Sequence, residues 1–413
     1  MKRAPRVVHL PFTCRPQSLK HTVLASRCAL KVPKGIPDHR SNGYTVKITR
    51  FSSIAALGAV AALSLAGCAA NEPNNAGGGS TPSESSLSGT IEATGASSQE
   101  AAQQAWVAGF QGINPDATVN YTSTGSGTGR ENFQAGSSNF IGSDRAFNAE
   151  EIAAGGFGSC ATDSIVEIPV YISPVAVAFN LEGIDTLNLD AATIAGIFAG
   201  QITNWNDPAI AEQNPDAELP DLAIVPVHRA DASGTQETFT TYLESTAPDV
   251  WTWEASDEWP SDLGGEAADG TSGVVSAITE GNGYIGFADA SQAGELGQVA
   301  VEVEGEYVAY SAEAASALVE ASPLEEGREA QDLAFAVDPA SAPAESYPIA
   351  LVSYLIGCVE YEDPEVATLV KAYFEYVASA EGQEASAEVA GNAPISEGLR
   401  EQVMTAIDAI VTE

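Results

Sequence analysis

The sequence is short of positive charge, of histidine and of cysteine, and each shortage removes a class of function. Of its 413 residues, 17 are Lys or Arg against 56 Asp or Glu, a formal charge of −39. Eleven of those cations lie in residues 1–67 beside a single acid, Asp38, so the rest of the chain has six cations against 55 acids, a formal charge of −49. Six cations cannot build the basic face that nucleic acid requires, and an anionic membrane surface would repel such a body. His9, His21 and His39 also fall in the leader, which leaves His228 alone, too few for a histidine zinc site or a catalytic dyad. No C-x-x-C occurs for metal or redox work. The expectation is therefore no metal and no cofactor. What is present is ordinary hydrophobic content, 44%, beneath an acidic surface suited to salty or variable surroundings.

The N-terminal region accounts for the charge asymmetry. In "VKITRFSSIAALGAVAALSLAGC", Lys47 and Arg50 precede a run of small apolar residues that ends in Leu65-Ala66-Gly67-Cys68. This is the layout of a secretory signal, and the run is too poor in large apolar residues for a permanent membrane span. The Leu-Ala-Gly-Cys ending resembles the lipobox of bacterial lipoproteins, which implies a lipid on Cys68; a plain cleaved signal is the other reading. Residues 1–45 fit neither signal nor domain and are read as a leader upstream of the true start, with the signal at 46–67. A Gly/Ser/Pro/Asn tether follows at 68–87. Of five cysteines, export then leaves Cys160 and Cys358, to be read as one long-range disulfide or as two buried thiols.

From Ser88 onward, short apolar runs alternate with helical patterns, which argues an α/β fold. The pattern predicts strands at Thr90–Ala93, Thr118–Thr122 and Asn139–Gly142, with helices between them, the first carrying Ala102, Trp106 and Phe110 on one stripe. "IVEIPVYISPVAVAFN" reads as extended chain, and Asp190 and Gly200 bound a helix. Residues 208–221 read as loop, and "LAIVPV" reads as a strand whose Pro226 marks an edge or an end.

Three times a strand leaves through glycine and hydroxyl residues into a helix. The segments are "EATGASSQEAAQQAW", "NYTSTGSGTGRENF" and "VHRADASGTQETFTTYL", with capping-box spacings at Ser97/Glu100, Thr128/Glu131 and Ser233/Gln236. Helix N-termini gathered at the carboxyl edge of a sheet present N–H dipoles and hydroxyls to a small oxyanion. Arg229 adds a cation to the third turn. Asp144, in "NFIGSDRAF", only accepts hydrogen bonds, so it favours an oxyanion that still carries a proton and repels sulfate. An Asx-turn or a pairing with Arg145 is its structural alternative, and Asp231 either holds Arg229 or caps a turn.

From about Ser88 to the end, the segments "GASS", "TGSGTGRENF", "GSDRAF", "GQITNWNDPAIAEQNP", "VHRADASGTQETFTTYL" and "GNGYIGFADAS" resemble the phosphate-binding proteins of ABC-type phosphate importers. The resemblance implies a two-lobed type II periplasmic-binding-protein fold, each lobe a mostly parallel sheet flanked by helices. Lobe I would comprise 88–171 and 348–413 and lobe II 172–347, joined by two crossings near Val170–Pro174 and Ser346–Ile349. It implies one phosphate held without metal. Ser97, Ser98 and Ser126 would donate, Arg229 would give a charged fork, and Ser233, Gly234 and Thr235 would supply helix N-terminal donors. Asp144 would accept the phosphate proton, and Asp231 would orient Arg229. The "GASS" segment departs from relatives that have Thr followed by an aromatic. Cys160 and Cys358 would both lie in lobe I. A monomer is implied, lipid-anchored at the outer face of the cytoplasmic membrane and delivering phosphate to an ABC permease. Receptors for sulfate, molybdate or phosphonate, an adhesive surface protein that has lost its ligand, and an exported phosphoester hydrolase using Ser233 are the competing readings.

Overall fold

The computed structural model describes residues 87–413. The leader, the signal, Cys68 and all but the last tether residue lie outside the described residues. Among the described residues no helix is long and apolar enough to cross a membrane.

In chain order the first part runs β1 (Ser88–Gly95), α1 (Glu100–Ile113), β2 (Asp116–Ser123), α2 (Ser126–Gln134), β3 (Phe140–Ser143), α3 (Ala149–Ala154) and β4 (Ile165–Phe179). Then come β5 (Thr186–Leu189), α4 (Ala191–Phe198), α5 (Pro208–Ala211), β6 (Val225–Arg229), α6 (Gly234–Thr246), β7 (Glu266–Ala268), α7 (Gly270–Glu280) and β8 (Tyr284–Asp289). The chain closes with α8 (Ala290–Ala293), β9 (Gly297–Val303), β10 (Glu306–Val308), α9 (Ala312–Ala321), β11 (Ala350–Cys358), α10 (Pro364–Ala378), α11 (Ala380–Ala390) and α12 (Glu397–Ile407).

Two half-sheets share one strand. The first has the order β2-β1-β3-β11-β4, with β11 against β4 over Ile165–Pro174. From Val175 onward β4 pairs with β8, which leads to β6 and β7, while β9 joins the end of β4 and carries β5 and β10. The strand–helix units give parallel pairs (β1–β2, β1–β3, β6–β8, β6–β7, β5–β9); antiparallel pairs arise at β4, at β11 and in the β9–β10 hairpin. Beside β11 the chain at Val175 touches the segment leading into that strand, because Val175 N–H donates to the Ile349 carbonyl at 2.8 Å.

All fifteen residues of β4 are buried, which is why its sequence is apolar without alternation. Pro169 has no N–H for the ladder, and the register slips between Ser353 and Tyr354 of β11, so Val170 opposes no residue. The Val170 carbonyl accepts instead from Gln383 Nε2 at 2.9 Å. Ala102, Trp106 and Phe110 of α1 are buried as the stripe predicts, and Trp106 Nε1 donates to the Gly382 carbonyl. Each such buried aromatic stabilises the core by roughly 2–3 kcal/mol. Cys160 and Cys358 form a disulfide that closes a loop of 198 residues, a cross-link that removes roughly 5 kcal/mol of chain entropy from the unfolded state.

Local detail departs from the pattern in four places. The Ser97/Glu100 capping box does not form, because α1 begins after Gln99 and the Ser97 hydroxyl is engaged by Thr271. Thr128 lies inside α2, which starts at Ser126 because Gly125, at φ +85°, turns the chain directly out of β2. Ser233 does cap α6 by accepting from Gln236 N–H, but Gln236 Oε1 accepts from Arg229 N–H rather than closing the box. Residues 208–221 contain a helical turn, α5, started by the Asp207 cap with Pro208 in the first position. Pro226 sits in β6 before the pairing with β7 begins at Val227, so its missing N–H leaves no ladder bond unmade on that side.

Candidate functional site

The three glycine-hydroxyl turns meet where the half-sheets face each other, around Asp144. Its carboxylate is buried at the end of β3. Oδ1 accepts from Ser98 Oγ at 2.5 Å and from Ser353 Oγ at 2.6 Å, and Oδ2 accepts from Thr235 Oγ1 at 2.9 Å. The Asp144 N–H donates to Ser126 Oγ at 3.1 Å. Asp144 thus touches the β1–α1 turn, the first residue of α2 and the first turn of α6. Arg145 pairs elsewhere, with Glu151 and Glu237, so neither the Asx-turn nor the Arg145 alternative describes Asp144.

Gly234 makes this convergence sterically possible. A Cβ there would lie 2.5 Å from the Asp144 Cβ and 3.0 Å from Ser126 Oγ. The Gly234 and Thr235 amides open α6, and amides in a first helical turn have no intrahelical acceptor.

Ser97 Oγ accepts from Thr271 N–H at 3.1 Å and shares a hydrogen bond with Thr271 Oγ1, so this turn of the first half-sheet is tied to α7 of the second. Its carbonyl accepts from Gln292 Nε2 of α8 at 3.0 Å. Arg229, at the end of β6, is buried and forks onto Asp231, with Nε to Oδ1 at 2.8 Å and a terminal nitrogen to Oδ2. Burial alone would raise the Asp231 carboxyl, but Arg229 and the Gly270 N–H hold it below its ordinary value.

Arg130 lies in the "TGSGTGRENF" segment but was given no role there, and Asp257 carried no motif. Arg130 of α2 is buried, with Nη1 to Ser143 Oγ at 3.1 Å and Nη2 to Asp257 Oδ2 at 2.7 Å. The Asp257 carbonyl accepts from Ser233 N–H and Gln236 Nε2, which seats the start of α6. Burial, then the neighbouring Arg145, lowers the Arg130 pKa from its ordinary value. Burial raises that of Glu237, against the pull of Arg145 and Arg130. A cavity of about 280 Å³ reaches Asp144 and Gly234 and is walled by Arg145, Glu237, Arg328 and Tyr354.

Nucleophilic chemistry is not assembled here. Ser233 Oγ accepts from its own helix, while His228 stacks on Trp259 with ring centroids 4.8 Å apart and bonds the Arg229 carbonyl. Among the described residues no three His, Cys, Asp or Glu side chains are placed to hold a metal ion.

The model of the PBP superfamily domain matches residues 80–381. Phosphate-binding protein PstS 3 of Mycobacterium tuberculosis (strain ATCC 25618 / H37Rv) is 33% identical over 379 residues, covering 88% of this chain and 100% of that protein. The chain belongs to the PBP superfamily and, within it, to the PstS family. Phosphate-binding protein PstS 3 of Mycobacterium leprae (strain TN) is 32% identical over 378 residues, covering 88% of this chain and 100% of the relative. The fold of this PstS family member is that of a high affinity periplasmic phosphate-binding protein (PfluDING) solved with phosphate. The TM-score is 0.63 at 21% identity, over 76% of this chain and 93% of that one. Members of this family are transport proteins, not enzymes.

Proposed function

We propose that the protein is an extracytoplasmic receptor that closes over one inorganic phosphate and hands it to a membrane-embedded ABC permease. One observation carries the reading: a single buried acceptor, Asp144, stands among hydroxyl donors and a helix N-terminus drawn from both half-sheets. Arg229 supplies the charged fork, Ser97, Ser98, Ser126, Ser233, Gly234 and Thr235 supply neutral donors, and Asp231 holds Arg229 in place. A phosphate hydroxyl takes an acceptor position on Asp144 that Ser98 or Thr235 occupies, and the freed hydroxyl turns to a phosphate oxygen. Sulfate has no proton to give and meets Asp144 as a repelling charge. The acidic exterior does not oppose this, because exposed charges are screened beyond about 8 Å at physiological salt whereas donors in contact are not.

The same reading sets lobe I at 88–171 and 348–413 and lobe II at 172–347, with closure by rotation about the two crossings. It also includes lipidation at Cys68, anchoring at the outer face of the cytoplasmic membrane, and a monomeric state. Calorimetric titration of the ligand-stripped protein with phosphate, sulfate, molybdate and a phosphonate tests the core of it. Phosphate should bind at micromolar dissociation constants or tighter, with sulfate at least a thousandfold weaker, and Asp144→Asn should erase most of that gap. Equal affinity for sulfate, or no heat with phosphate, overturns it.

A further inference from the structure

We propose that Ser353, a residue of β11 outside every turn motif, is a positioning residue that makes Asp144 selective, and that a one-way hydrogen-bond relay from Tyr373 fixes its direction. The inference rests on the phosphate-receptor reading.

The direction of each bond follows from the chemistry of the groups. The Tyr354 carbonyl can only accept, so the group of Gln99 that lies 3.0 Å from it is the amide nitrogen. That same nitrogen lies 2.7 Å from Ser353 Oγ and donates to it. Ser353 has one proton, and with its oxygen already accepting, that proton goes to Asp144 Oδ1 at 2.6 Å. Behind Gln99 the sense continues, since its Oε1 accepts from Gln103 Nε2 at 2.8 Å and Gln103 Oε1 accepts from Tyr373 Oη at 2.7 Å. All of these residues are buried, so no water competes for the protons. The relay therefore ends in an obligate donor on Oδ1, which leaves the remaining acceptor capacity of Asp144 for a proton brought by the ligand.

The fold places Ser353 there through a specific irregularity. It is the last residue of β11 before the register against β4 slips, at the point where Pro169 cannot complete the ladder. The neighbouring Tyr354 is registered with Ser143, the residue before Asp144.

The test measures phosphate and sulfate dissociation constants for the whole protein and for Ser353→Ala, Ser353→Cys and Asp144→Asn, with thermal melts to confirm folding. Ser353→Ala should weaken phosphate by about tenfold, because Asp144 loses the charge-assisted bond that holds it in the direction the phosphate proton needs, while leaving sulfate almost unchanged. Ser353→Cys keeps the volume with a weaker donor and should fall between the two. In the Asp144→Asn background, Ser353→Ala should no longer change the phosphate-to-sulfate ratio, an outcome that a merely structural role would not produce. A folded Ser353→Ala or Ser353→Cys with the wild-type ratio, or an undiminished effect of Ser353→Ala in the Asp144→Asn background, overturns the proposal. A wild type that does not distinguish phosphate from sulfate refutes the receptor reading instead.

Discussion

Arg130 on α2 and Asp257 in the loop after α6 join the two half-sheets by an ion pair at 2.7 Å, and each partner also touches the site. Arg130 holds Ser143 beside Asp144, and Asp257 seats the start of α6. Removing one partner leaves the other charge poorly compensated in a largely buried place. Arg130→Gln is therefore expected to weaken phosphate binding by about tenfold, mostly through faster release. Stopped-flow measurement of phosphate dissociation checks this, and an unchanged release rate removes the pair from the closure mechanism.

Gly234→Ala should abolish tight phosphate binding while leaving the fold intact. The added Cβ would meet the Asp144 side chain and Ser126 Oγ from the opposite half-sheet, so the halves could not approach to their present distance. Titration calorimetry together with a melting curve separates this from unfolding. Retained micromolar binding contradicts it.

Asp289 gives stability a pH dependence of defined sign. It is fully buried where β4 changes partners, accepts from Tyr171 Oη at 2.9 Å, and has one carboxylate oxygen without a partner. Burial pushes its pKa up to about 6. A raised folded value means that the native state favours the proton. The group's stabilising contribution is complete below the ordinary aspartate range and is lost as pH rises through about 6. Glu167, raised by burial and by Asp332, acts in the same direction. Asp289→Asn should add roughly 2 kcal/mol at pH 7.5 and little at pH 4, read from urea midpoints at the two pH values. Equal effects at both would show that Asp289 is not the titrating group.

Breaking the Cys160–Cys358 bond should lower stability without changing phosphate affinity. Cys358 ends β11 opposite Ile165, five residues beyond Ser353. Cys160→Ser with Cys358→Ser is expected to cost several kcal/mol, up to the roughly 5 kcal/mol of the loop-closure model. Denaturant unfolding and calorimetry measure the two quantities separately.

How legible the site was depended on where each residue lies along the chain. Ser97, Ser98, Ser126 and Ser233 to Thr235 announce themselves because glycine and hydroxyl residues after a strand leave a local signature. Their hydrogen bonds were less readable. The Ser97 hydroxyl had two candidate partners in a sequence, a nearby helix amide and a distant Thr271, and tertiary approach chose the distant one. The start of α2 was misplaced because glycine at positive φ permits a turn tighter than the capping pattern assumes. Ser353 was invisible for a different reason. Within the apolar run of β11 a single serine has no turn, charge or period to mark it, and its importance appears only when β3, β11 and β4 are laid side by side. Arg130, Asp257, Thr271 and Gln292 matter through contacts between segments far apart in sequence, which no local spacing encodes.

The cystine has one more consequence. Every residue from Cys160 to Cys358, and so every strand from β4 through β10, belongs to a covalent ring. A protease that cuts a surface loop inside that ring opens it without releasing a fragment. Nicked protein would therefore migrate as one species until a reductant separates the pieces, and damage there would stay hidden from any assay run without one.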